Sequence, residues 1–67
     1  MQWERRDRYY EEDATGCYRV SAARVGCRWR FSAWRLDGER WQLIGVYDTA
    51  AEARSVCERH KSERAAA

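Results

Sequence analysis

Proline is missing from this chain, and lysine and histidine occur once each, at Lys61 and His60. With no proline, no low-complexity stretch and no internal repeat, nothing divides the 67 residues, and they read as one small domain over 1–67. The four glycines are scattered and make no phosphate-cradling loop. No apolar run approaches the ~18 residues of a membrane-spanning helix, and no charged-apolar-small leader precedes the first elements. A soluble protein without a membrane partner is expected. Three cysteines, Cys17, Cys27 and Cys57, form no C-x-x-C pair. An odd number of thiols without a leader predicts a reducing, cytoplasmic setting.

These scarcities also bear on chemistry. His60 lies near a helix end, and no Ser or Cys is fixed beside it by spacing, so no nucleophile–base pair emerges. Glu11-Glu12-Asp13 reads as a solvated acidic turn. A chain of this length buries only about 60% of the surface it exposes when unfolded, and its net stability should be roughly 3–5 kcal/mol. It can hardly wall a deep catalytic cleft. No catalytic residue, no cofactor and no enzymatic activity are expected. The sharpest alternative is zinc, with Cys57 and His60 three apart on a helix and Cys17 and Cys27 completing a Cys₃His set. Strand parity opposes it, because Cys17 and Cys27 belong to opposite faces; no metal site is expected.

What the chain does have is arginine, with 13 basic residues of which only Lys61 is not Arg. Net charge is +2, unevenly spread: residues 1–16 hold three Arg against five acids, and residues 17–48 six Arg against three. Arg suits bidentate or stacked contacts with phosphate, carboxylate and aromatic groups. A GC-rich coding bias, which also enriches Ala, accounts for the same preference.

Period two is the clearest structural signal. From Cys27 to Trp34 apolar side chains alternate with Arg and Ser, and Trp41 to Tyr47 reads as a second strand. Asp37-Gly38 between them predicts a hairpin, and Val25-Gly26 turns the chain back from a strand over 18–23. In the first hairpin Leu36 is expected opposite Glu39, which sets Trp34 against Trp41, Phe31 against Ile44, Trp29 against Val46 and Arg28 against Tyr47. In the second, Arg24 opposite Cys27 sets Val20 beside Phe31. Thr49 and Glu52 form a capping box, and Ala53, Val56, Cys57 and His60 make one helical stripe. A helix over about 50–62 is predicted, with a frayed tail over 63–67. Residues 1–13 are open to two readings, an edge strand at Arg8-Tyr9-Tyr10-Glu11 turned by Ala14-Thr15-Gly16, or a helical arm; paired tyrosines favour the strand. The fold class is α+β: a three- or four-stranded antiparallel meander with one C-terminal helix packed on one face.

Parity then assigns two faces. Tyr18, Val20, Ala22, Trp29, Phe31, Ala33, Ile44 and Val46 form the bed for the helix. The opposite face gathers Arg19, Ser21, Arg28, Arg30, Ser32, Trp34, Leu36, Trp41, Leu43 and Tyr47, far more apolar than water alone requires. Trp, Tyr and Arg dominate protein–protein hot spots, so Arg19, Arg28, Arg30, Trp34, Trp41 and Tyr47 are the candidate partner-binding residues. Two blander accounts stand beside this: residues 1–16 fold back over the face, or Trp34 and Trp41 are only a stabilising cross-strand pair. A nucleic-acid reading uses the same face, with Arg on phosphates and rings under single-stranded bases, against which the net charge is low. A third reading is a structural module that dimerises through it.

From Trp34 onward, the run of Leu36-Asp37-Gly38, Trp41, Ile44-Gly45-Val46-Tyr47-Asp48-Thr49, Glu52-Ala53-Arg54 and Cys57 resembles the hairpin-then-helix pattern of small accessory proteins of phages and prophages, anti-CRISPR inhibitors among them. The resemblance covers about a third of the chain and carries over no binding residues. It implies a non-enzymatic inhibitor that covers a surface of a CRISPR effector complex in the bacterial cytoplasm. Many such inhibitors that imitate DNA are strongly acidic; the mildly basic middle here favours a protein surface, or one beside the nucleic acid.

Overall fold

Five strands pair antiparallel in chain order: β1 (Trp3–Asp7), β2 (Tyr10–Asp13), β3 (Tyr18–Val25), β4 (Arg28–Asp37) and β5 (Arg40–Tyr47). One helix, α1 (Ala50–Ala66), follows β5 and packs on β3, β4 and β5. The computed structural model describes residues 2–66, with backbone alone for Ala65 and Ala66. The architecture is the expected α+β meander with one more strand. Residues 1–16 supply two strands, and Arg8 and Tyr9, expected within an edge strand, instead form the turn between them. β1 was illegible because Trp3–Asp7 is nearly all charged, which leaves no alternation to read. The helix runs past the expected end through Ala66; of the expected tail 63–67, Ala67 lies outside the described residues.

Both long hairpins turn one residue later than their dipeptide signals suggested. Gly26 and Gly38 adopt φ of +65°, and among the described residues only glycines have positive φ, so with Val25 facing Arg28 and Asp37 facing Arg40 the turns are Gly26-Cys27 and Gly38-Glu39. A two-residue turn with its positive φ at the first position only is type II′, where Gly leads, and not the Asp-Gly type I′. Registers shift accordingly. Val25 faces Arg28 and Val20 faces Ala33; Asp37 faces Arg40 and Trp34 faces Leu43. Each pairing has slipped by two residues, which preserves the faces, since side chains alternate with period two.

A second irregularity does not preserve them. Between Ala33 and Trp34 the β4–β5 register jumps, with Trp34 facing Leu43 but Ala33 facing Gly45, so Ile44 is an extra residue. Beyond this bulge the parity of β5 is inverted. Tyr47, expected on the outer face, faces Phe31 and packs on the core, while Val46, expected in the core, is turned outward and is 41% exposed. Gly45 makes room for the change: a methyl group there would fall 2.8 Å from Cζ of Tyr47.

The helix seats on very small side chains. Ala33, Ala53 and Cys57 are wholly buried, joined by Tyr18 and Val20, with Trp3, Phe31, Ile44 and Tyr47 partly buried around them. Thr49 caps the first turn, its hydroxyl accepting from the Glu52 amide at 3.1 Å. Polar clamps hold the rest: Arg54 pairs with Glu11, the Tyr18 hydroxyl meets His60 Nδ1 at 2.8 Å, and Trp3 Nε1 donates to Glu58 at 3.2 Å.

Asp13 is the one fully buried charged side chain among the described residues, and it is the opposite of the solvated turn residue expected. Its Oδ1 accepts from the amides of Cys17 and Tyr18, both at 3.0 Å, its Oδ2 accepts from the Thr15 hydroxyl at 2.6 Å, and Lys61 Nζ stands 3.8 Å away. Burial alone would raise this carboxyl, but the Thr15, Tyr18 and Cys17 hydrogen bonds and the Lys61 charge outweigh it and hold it below the usual range. A carboxyl depressed in the folded state stabilises above its unfolded value of about 3.9 and loses that contribution as pH falls through the folded value. The urea midpoint should therefore drop on acidification below about pH 4, and Asp13→Asn should flatten that drop while lowering stability near neutral pH. Independently, Gly45→Ala should displace Tyr47 and cost about 1–3 kcal/mol, read from urea unfolding.

Candidate functional site

The outer face of the sheet is open. The helix lies on the other side, and residues 3–13 extend the sheet sideways rather than folding over it. At its centre Trp34 stands between Arg19 on β3 and Leu43 on β5, and Leu36 faces Trp41. Leu43 is 52% exposed, and Val46 joins the same surface through the bulge. Trp34 and Trp41 are half-buried by their neighbours. Trp34 Nε1 donates to the Ser21 hydroxyl at 3.0 Å, which leaves its ring edge-fixed and its polar atom satisfied.

The arginines of this face are largely occupied. The Arg19 guanidinium lies 4.6 Å from the ring centre of Tyr10 and 4.4 Å from that of Trp41, while Glu12 accepts from its Nε at 3.1 Å. Two cation–π contacts and an ion pair use its charge and both its flat sides. Arg30 pairs with Asp48 just past β5, and Arg6 pairs with Glu4 at 3.0 Å. Arg28 is exposed at the start of β4. Of the six residues expected to bind a partner, Trp34, Trp41 and Arg19 converge, Arg28 and Arg30 lie toward the far end of the same face, and Tyr47 is on the other side. Tyr10 and Glu12 were missed because β2 had no readable register.

The inner face carries a second aromatic group that sequence parity assigned to the core. β5 ends at Tyr47, opposite Phe31, and α1 begins at Ala50. The β3–β4 hairpin runs on beyond both, in a molecule 40 Å long and about 20 Å across. Trp29 has inner parity but no helix above it and is 47% exposed; Tyr9 of the β1–β2 turn is 49% exposed and stacks on it, ring centres 6.2 Å apart.

The three thiols are separated. Cys17 and Cys27 are exposed at turns near opposite ends of the sheet, and Cys57 is on the buried side of α1. His60 is engaged by Tyr18. Among the described residues no group of three or more His, Cys, Asp or Glu side chains is placed to hold a metal ion, and no helix is long and apolar enough to cross a membrane. Burial, reinforced by the charges of Asp13 and Glu58, pushes the Cys57 thiol up to about 11, so it carries almost no thiolate near neutral pH. A disulfide reagent at pH 8 should titrate two thiols per chain rapidly and the third only in denaturant; Cys57→Ser should leave the fast count at two. Comparison with protein-family models, curated proteins and solved structures returns no match.

Proposed function

We propose that this protein is a non-enzymatic protein-binding module that docks a protein partner on the open face of its sheet. The observation that carries the reading is an apolar centre whose neighbouring cations are already paired; Arg28, at the far end of the face, lies away from that centre. Trp34, Leu36, Trp41, Leu43 and Val46 share the face, while Arg19, Arg30 and Arg6 each hold a carboxylate. A polyanion gains little there, because it must compete with those internal pairs. An apolar partner surface gains about 25 cal/mol for each Å² it covers, with half-buried tryptophans already fixed in place for contact.

The resemblance of the Trp34–Cys57 segment gives this reading its most concrete form, an inhibitor that covers one surface of a CRISPR effector complex inside a bacterial cell. Single-stranded nucleic acid on the same face is the weaker alternative, for the electrostatic reason just given. Self-association through the face remains the third.

A photo-crosslinking residue in place of Leu43 tests the docking face in cells that express the protein, with the same residue in place of Arg59, on the wet side of the helix, as control. The expected product is one discrete heavier adduct from position 43 alone, lost when Leu36→Arg is added. With the captured protein purified, Trp41→Ala should weaken binding by about 2 kcal/mol, or roughly thirtyfold. An adduct of two chains would replace the reading with a dimer, and equal labelling from positions 43 and 59 would remove this face as the docking surface. Circular dichroism of each variant separates loss of contact from loss of fold.

A further inference from the structure

The overhanging end of the sheet differs from the open face in its charge. The β1–β2 turn brings Arg5, Arg8 and Tyr9 to the β3–β4 hairpin, where they line a groove with Ala22, Trp29 and Phe31. Arg24 stands opposite Trp29 in the register. Arg5 donates only to the backbone carbonyls of Asp7 and Arg8, and Arg24 only to that of Gly26. Arg8 lies over the Tyr9 ring at 5.6 Å. Among the described residues none of these three guanidinium groups is in an ion pair with a carboxylate. The acids nearest in sequence to Arg5 and Arg8 are engaged elsewhere: Glu4 pairs with Arg6, Asp7 accepts from the Tyr9 amide at 3.3 Å, and Glu11, opposite Arg5 in the register, holds Arg54.

We infer that this groove binds single-stranded nucleic acid, with Arg5, Arg8 and Arg24 on phosphates and a base stacked on the Tyr9–Trp29 pair. Two requirements coincide there and nowhere else on the described surface. Uncompensated guanidinium groups supply the anion site, and two nearly parallel rings, 21° apart and each about half exposed, supply the platform for a flat aromatic base. An acidic peptide would satisfy the charges and leave the rings unused. A duplex keeps its bases stacked inside and would leave them unused as well. The inference uses residues distinct from those of the open face and does not rest on the docking reading.

Fluorescence anisotropy of a labelled short oligothymidylate tests it on the intact chain. Binding is expected at low salt, with log affinity falling against log salt at a slope of about −2, the value for three phosphates on a single strand. Trp29→Ala should weaken binding about tenfold, and Arg8→Gln should reduce the slope by about 0.7. Leu43→Arg, on the other face, should not weaken it. Tyr9→Ser, in a turn, provides a second loss of stacking should Trp29→Ala fail its thermal melt. No binding at low salt, equal binding of polyglutamate, or unchanged affinity in both aromatic variants would overturn the assignment.

Discussion

The close seat of the helix on Ala33, Ala53 and Cys57 sets what the rest of the molecule can do. Side chains this small let helix and sheet backbones approach closely, but they bury little apolar area. A 17-residue helix with two fully buried side chains cannot be held by that stripe alone. Glu11, Asp13, His60 and Glu58 make up the difference from the flanks, each linking helix to strand. Three of these links reach β1, β2 or the residue that follows their turn. The two short N-terminal strands are therefore part of the helix mount, although they contribute little to the core. The mount covers the middle of one face, and both surfaces of interest are what it leaves uncovered.

Parity made much of this legible from the sequence, and it failed at one identifiable place. Alternation in Cys27–Trp34 and Trp41–Tyr47 was enough to put Trp34, Leu36, Trp41 and Leu43 on the side away from the helix, even though both hairpin turns were set one residue early. The error was harmless because it moved each partner by two. Ile44 was not harmless, since a bulge moves the strand by one and exchanges Val46 for Tyr47. The available cue was Gly45 within an otherwise β-branched and aromatic run, where a glycine often marks a bulge or a close approach. Burial was harder to foresee than parity. Trp29 has the inward orientation of a core residue, but it lies past the end of β5, and only the relative lengths of β4 and β5 reveal that nothing covers it. Asp13 reversed its expected role because its carboxylate closes the local turn onto Thr15, Cys17 and Tyr18, a use of the run that its acidic composition did not reveal, and because Lys61 arrives from the far end of the helix.

Charge compensation separates the two surfaces more sharply than composition does. Both carry tryptophan, tyrosine and arginine, and by residue type alone they would be read alike. On the open face Arg19 is enclosed by Tyr10, Trp41 and Glu12, so its charge now stabilises the sheet and is poorly available to a ligand; removing it would leave Glu12 without its partner and two rings without their bridge. At the overhang Arg5 and Arg24 end on backbone carbonyls and Arg8 lies over the Tyr9 ring, partners that are neutral and leave the positive charge intact. An incoming phosphate there gains a full charge–charge contact without first breaking one, whereas at Arg19 or Arg30 on the open face it would have to displace a carboxylate of similar charge already in place. The same residue type thus serves as mortar on one surface and as an available contact on the other, and the difference lies in which acids the antiparallel registers bring alongside.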